Sequence, residues 1–177
     1  MIDTQKYSLV RLGAESAAEF RAVRLEALKQ FPENYASAYE VECEWKLSAF
    51  EERLRDYVNV GAYVPMIDDR SSNCRQLVGI ATLVPQTPAR MKHKADITSV
   101  YVKPEYQGKG IAKAMFMWLE EEAAKKFDQL HLSVVAKNND ACRLYEWLGY
   151  KDYGLEPRAA KYNGQYFDDI FMVKFLK

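Results

Sequence analysis

The chain is poor in the residues that staple a small protein or hold a metal. Cys43, Cys74 and Cys142 are odd in number and widely spaced, no Cys-x-x-Cys pair occurs, and only His93 and His131 accompany them. Neither a disulfide framework nor a metal site is indicated. A charge of one sign is also missing: 25 Lys and Arg balance 25 Asp and Glu. That balance removes the broad basic footprint expected for nucleic acid or an anionic membrane, so any anion must be bound locally. No apolar run approaches the ~20 residues needed to cross a bilayer. Met1 to Lys6 do not resemble a signal peptide, and a cytoplasmic protein is expected. Repeats and low-complexity tracts are absent.

What is present is enough apolar material for one core. With 49% hydrophobic and 13% aromatic residues in 177, a single domain spanning 1–177 is expected. Tyr7 to Leu12 reads as a strand, Ala17 to Phe31 as a helix ending before Pro32, and Ser37 to Asp56 as a second helix. Two strands, Val58 to Ile67 and Gln76 to Val84, flank the polar loop Asp68 to Asn73 and form a hairpin. A strand from Ala95 to Val102 enters a glycine-rich turn. The residues Ile111, Ala114, Met115, Trp118, Leu119, Ala123 and Phe127 then recur at helical spacing. A strand over Leu130 to Val135 precedes a short helix carrying Ala141, Leu144, Tyr145 and Leu148 on one face, which Gly149 ends. The tail can pair as a last hairpin about Asn163-Gly164. The order is β-α-α-β-β-β-α-β-α-β-β, a mixed α+β sheet with one parallel crossover around the glycine turn.

Gln107-Gly108-Lys109-Gly110-Ile111-Ala112 is the most informative stretch. It lies at a helix N-terminus, where the first N–H groups lack internal partners and glycines let a ligand approach the backbone. Such a terminus normally attracts Asp or Glu, yet Lys109 and Lys113 occupy it and no acid appears until Glu120. A bound phosphate or pyrophosphate would relieve the unfavourable cations. The P-loop pattern fails, because Gly110 is followed by Ile111 and no Ser or Thr is available for magnesium. The dinucleotide pattern matches Gly108 and Gly110 but places Lys113 where its third glycine belongs.

The spacing that remains is Gln/Arg-x-x-Gly-x-Gly/Ala, matched by Gln107, Gly110 and Ala112. A second element follows as Asn138-x-x-Ala141-x-x-x-Tyr145-x-x-x-Gly149-Tyr150. Together, from about Ile97 to Tyr150, these resemble the GNAT superfamily of N-acetyltransferases. The resemblance implies a central, mostly antiparallel twisted sheet of about seven strands flanked by about four helices. It implies acetyl-CoA as donor, with its pyrophosphate on backbone N–H groups of Gln107, Gly108, Lys109, Gly110, Ile111, Ala112 and Lys113. The pantetheine arm would lie along Val100, Tyr101 and Val102, with Asn138 and Tyr145 completing the donor site.

Attack on a thioester needs a neutral amine, and an alkylamine of pKa near 10.4 is about 0.1% neutral at pH 7. A base is therefore required. Some relatives place a Glu where this chain has Ser133, which cannot serve. Asp96 is the first candidate, with His131 and Asp168 behind it; a water chain is the alternative. By the resemblance, Tyr145 protonates the departing thiolate. The acceptor is a small-molecule or peptide amine, shaped by the N-terminal helices, the turn Phe31 to Tyr35 and the hairpin around Tyr162 to Asp169. Glu40, Glu42 and Glu44 read as a solvated face, or alternatively as an acidic rim for a cationic acceptor. A homodimer is left open. The competing functional class is an acetyl-CoA sensor of the same fold with little transferase activity. Cys142 reads as a small apolar filler.

Overall fold

The computed structural model describes residues 7–66 and 74–177. The expected loop from Asp68 to Asn73, together with Ile67 and Met1 to Lys6, lies outside the described residues. The strands are β1 (Ser8–Arg11), β2 (Val58–Pro65), β3 (Arg75–Pro85), β4 (Lys94–Val102), β5 (Gln129–Val135), β6 (Lys151–Tyr162) and β7 (Gln165–Phe175). The helices are α1 (Ala17–Gln30), α2 (Tyr39–Glu42), α3 (Leu47–Asp56), α4 (Ile111–Ala124) and α5 (Asn139–Trp147). All seven strands form one sheet in the order β1-β2-β3-β4-β5-β7-β6. Every neighbouring pair is antiparallel except β4 and β5, which run parallel as the glycine-turn crossover requires.

The sheet is covered on both faces, which is why its central strands are apolar without strict alternation. One core joins Phe20, Val23 and Ala27 of α1 and Phe50 and Leu54 of α3 to Tyr63, Leu77, Ile80 and Tyr101. The other joins Ile111, Met115, Phe116 and Leu119 of α4 and Tyr145 and Leu148 of α5 to Val60, Val78, Leu83, Ile97 and Leu130. The last hairpin turns at Asn163 and Gly164, both at positive φ, as the Asn-Gly pair predicts.

Two boundaries differ from the sequence reading. The expected helix Ser37 to Asp56 is two helices, α2 and α3, separated by Cys43 to Lys46. Lys46 is extended (φ −66°, ψ 154°). The break lets the Trp45 ring fold onto Phe50, with centroids 5.9 Å apart, while Glu42 reaches back to α1. No Gly or Pro marks it; the tertiary partners do. The helix α4 stops at Ala124 rather than Phe127, whose N–H bonds the Ala123 carbonyl at 2.8 Å.

Candidate active site

The parallel pairing of β4 with β5 is only three residues long, Lys94 to Asp96 against Gln129 to His131. Past that seam the strands part, and a cavity of ≈ 1630 Å³ opens between Ile97–Val102 and Leu132–Val135. A bulge in β4 goes with the divergence. Ile80 pairs with Tyr101 but Thr82 with Thr98, so Ser99 and Val100 face one residue of β3. Ser99 takes φ 55°, a left-handed conformation that costs a non-glycine residue of order 1 kcal/mol or more. Tertiary contacts hold it: Arg53 Nη2 donates to Ser99 Oγ at 2.7 Å, and Tyr35 Oη donates to the Val100 carbonyl at 2.9 Å. Burial pushes the Tyr35 phenol up to about 12, against the pull of Arg24. Arg53, Tyr35 and Ser99 all line the cavity; the turn Phe31 to Tyr35 was expected there, but sequence reasoning missed Arg53 and Ser99. Arg53 and Ser99 are 46 residues apart, and Ser99 has no residue type that announces positive φ.

The glycine turn forms one end of the cavity. Gly108 and Gly110 take φ 71° and 78°, and a Cβ on either would meet nothing within 4 Å. Their neighbourhood is therefore open backbone. Gly110 is the N-cap of α4, and the first helical bond runs from Ala114 N–H to its carbonyl at 3.0 Å. The N–H groups of Ile111, Ala112 and Lys113 precede that bond and point out of the helix. Gln107 Nε2 donates to the Val102 carbonyl at 2.9 Å, which ties the loop to the end of β4. The lysines are drawn aside onto aromatic faces: Lys113 Nζ lies 3.6 Å from the Trp147 ring centroid, and Lys109 Nζ lies 5.3 Å from that of Tyr106. The backbone donors between them stay uncovered.

The second motif resolves into helix capping. Asn138 Oδ1 accepts from Ala141 N–H at 3.2 Å, so the Asn-x-x-Ala spacing is that of an N-cap and its N3 residue. This cap fixes the start of α5 and thereby places Tyr145, about two turns further on, against the cavity. The Tyr145 ring packs on Phe116 (centroids 5.0 Å apart) and Tyr150 (6.2 Å). Its hydroxyl makes no hydrogen bond to the described residues. Burial pushes its pKa well above the ordinary value, so the phenol holds its proton throughout the working range.

Several expected site residues take other places. Val100 and Val102 line the cavity, but the Tyr101 side chain is buried in the α1 core, where its hydroxyl lies 2.9 Å from both Glu26 Oε1 and Gln30 Oε1. Tyr101 therefore contributes backbone alone. Asp96 lines the cavity beside the seam, with Gln86 Nε2 donating to its two oxygens at 3.1 and 3.2 Å. Its cross-strand partner His131 is kept below its ordinary pKa by burial and by Lys94, although Asp96 pulls the other way. That imidazole is neutral at pH 7. Asp168 is exposed and does not line the cavity; its Oδ1 accepts from the backbone N–H of Arg158 at 2.7 Å, at the bulge where Arg158 takes φ 58°. Its neighbour Asp169 shares a sheet face with Phe167 and Phe171, which line the cavity. Burial holds the Asp169 carboxyl above its ordinary range, Ser133 opposing and Glu156 reinforcing the effect.

Glu42 is neither solvated nor on a rim. It is 1% exposed and forms a bidentate pair with Arg24, Nε to Oε2 at 3.0 Å and Nη2 to Oε1 at 2.7 Å. Glu40 and Glu44 are exposed and do not line the cavity. The acidic-rim reading therefore fails. Cys142 is half-buried against the α4–α5 core, as a filler should be.

Comparison with known proteins agrees with this anatomy. Over residues 21–150 the chain matches the model of the Acetyltransferase (GNAT) family. No curated protein matches it. Among solved structures, a GNAT-family acetyltransferase from Streptococcus pneumoniae superposes with a TM-score of 0.82 at 18% identity, covering 96% of this chain and 99% of that one. The yncA protein of Salmonella typhimurium, solved with its cofactor acetyl-CoA, gives 0.74 at 18% identity, covering 97% and 95%. A phosphinothricin acetyltransferase from Sinorhizobium meliloti, in complex with acetyl-CoA, gives 0.77 at 20% identity, covering 96% and 88%. The overall fold is shared with these structures, and the chain belongs to the GNAT acetyltransferase family.

Proposed function

We propose that this protein moves the acetyl group of acetyl-CoA to a primary amine by direct attack in a ternary complex. The carrying observation is the continuity of one cavity from the uncovered N–H groups of the glycine turn, past the parted strands, to Tyr145. The pyrophosphate sits on the backbone of Gln107 to Lys113, with Lys109 and Lys113 free to leave their aromatic rests and add charge. The pantetheine arm follows Val100 and Val102. The residues present thus fit the donor, which supplies the activated acyl group.

Tyr145 serves the leaving thiolate. Its raised pKa makes full proton transfer to a thiolate of pKa near 8.5 more uphill than for a free phenol, so its main contribution is a hydrogen bond donated as negative charge builds on sulfur. Tyr145→Phe keeps the ring packing on Phe116 and removes only that donor. The expected result is a fall in kcat of roughly 100-fold with acetyl-CoA affinity unchanged. Full kcat in steady-state kinetics would remove Tyr145 from the mechanism.

Asp96 takes the amine proton, directly or through water, with neutral His131 beside it. Asp96→Asn is expected to lower kcat by roughly 100-fold or more at neutral pH. Asp169→Asn should change it only a few fold; the opposite ranking would move the base to Asp169. A thiol-release assay over a panel of amines tests the reaction itself. Acetyl-CoA binding without CoA release from any amine would favour the sensor reading.

A further inference from the structure

The acceptor half of the cavity carries an unbalanced positive charge. Arg24 and Arg53 both line it, and both approach the single buried carboxylate of Glu42. Arg24 takes that carboxylate in two hydrogen bonds. Arg53 gets only the neutral Ser99 hydroxyl, at 2.7 Å, and its Nε is sealed from solvent with no hydrogen-bond partner among the described residues. Its guanidinium feels Arg24, Glu42 and the Tyr57 phenol, and no described carboxylate pairs with it. Two cations against one anion leave a net positive wall, which an anion arriving with the ligand would balance.

The backbone that carries Arg53 is also held in place. Its own carbonyl accepts from Tyr57 N–H at 3.1 Å and from Asn59 Nδ2 at 3.4 Å, and Asn59 Oδ1 accepts from Thr82 at 2.7 Å. The end of α3 is thereby pinned to β2 and β3. Thr98, beside Ser99 on β4 and also lining the cavity, has a buried hydroxyl without a partner. The Nε and the Thr98 hydroxyl are both closed off, so what Arg53 offers the cavity is the rest of its guanidinium, anchored through Nη2 and without a carboxylate partner among the described residues; such a fork suits a carboxylate.

We propose that Arg53 anchors an anion subsite and that the acceptor is a small amine bearing its own carboxylate, an α-amino acid or a close analogue. This rests on the acetyl-transfer reading and specifies its substrate class. The carboxylate lies at Arg53 and directs the amine toward the thioester, with Asp96 farther along β4 to receive the proton.

The test compares glycine, L-leucine, L-methionine and L-phenylalanine with their amides, in wild type and Arg53→Gln. Wild type is expected to prefer the best amino acid over its amide by roughly 10- to 100-fold in kcat/KM. Arg53→Gln should erase that preference, the acids losing roughly 10- to 100-fold more in kcat/KM than the amides, whatever common loss follows from releasing Ser99. Equal use of acids and amides by wild type overturns the proposal, as does an equal loss on both series in the variant, which would place Arg53 at the thioester. If Arg53→Gln does not fold, Arg53→Lys carries the test, with a partial loss expected that is larger on the acids. If no amine of either series releases CoA, acetyl transfer to amino acids has failed, and calorimetry decides the subsite separately. Saturable binding of an amino acid but not its amide to the CoA-loaded protein supports it, and no binding overturns it.

Discussion

Gly110→Asp is expected to abolish acetyl-CoA binding, with affinity falling at least about 100-fold, while the protein still folds. The two halves of that expectation have separate causes. At φ 78° most side chains would strain the backbone, but Asp is among the few residues that tolerate the left-handed region, at roughly 1 to 2 kcal/mol. Nothing within 4 Å obstructs the new Cβ, so the unliganded fold can accept it. The new carboxylate would instead stand before the N–H groups of Ile111 to Lys113, where the helix terminus favours one anion and not two. Lys109 and Lys113 would turn toward it and become unavailable to the donor. Gly110→Ala adds only the bulk of a methyl and should lose less. Calorimetric titration with acetyl-CoA, alongside circular dichroism, reads both halves; undiminished affinity in a folded Gly110→Asp protein would sink the donor assignment.

The second large effect concerns stability. Glu42→Ala is expected to destabilise the fold by about 3 to 5 kcal/mol, since removing one partner of a buried pair strands the other. For a chain of this size that corresponds to a melting temperature lower by roughly 6 to 20 °C. The ranking of variants is more informative than the size. Glu42→Ala leaves both Arg24 and Arg53 without an anion, whereas Arg24→Met leaves Arg53 to face Glu42. The single Glu42 change should therefore cost more than the Arg24 change, and Arg24→Met with Glu42→Leu together should cost less than Glu42→Ala alone. Burial by itself would raise the Glu42 carboxyl, but the hydrogen bonds and charge of Arg24 outweigh it and hold it low. A carboxyl depressed in the folded state contributes fully above its ordinary value of 4.5 and loses that contribution as pH falls through the folded value. The wild-type advantage over Glu42→Ala in thermal melts should accordingly shrink only on the acid side. A variant as stable as wild type at neutral pH would contradict the pairing.

Much of the donor side could be read from the chain because it is local. Gln107 to Ala112 and Asn138 to Tyr145 each act within a turn or two of themselves, through a left-handed glycine and an N-cap, and such geometry writes itself into spacing. The sheet followed from the same kind of signal, since nearly every strand pairs with its neighbour in sequence. On the acceptor side the turn Phe31 to Tyr35 and the last hairpin could be named as segments, but the contacts of individual side chains could not, because those parts meet across the fold. Glu42 looked like one of three surface acids until Arg24, 18 residues away, claimed it. Asp168 and Asp169 are chemically identical in the sequence, and only the bulge at Arg158 decides which supports backbone and which shares the cavity's face. Tyr101 illustrates the limit differently: the strand was identified, but which face of it each residue presents depends on a bulge two residues earlier.

The seam between β4 and β5 also bears on what this protein can stick to. An unpaired strand edge is a template for any extended chain, and soluble proteins blunt such edges. Here the outer edges are poor templates: β1 has only four residues, and β6 carries Pro157 and two register shifts. Two further unpaired edges are interior, Ile97 to Val102 and Leu132 to Val135, where the strands part. These edges line a cavity inside the fold and not its outer rim, which takes the hazard of an open edge off the margins of the sheet.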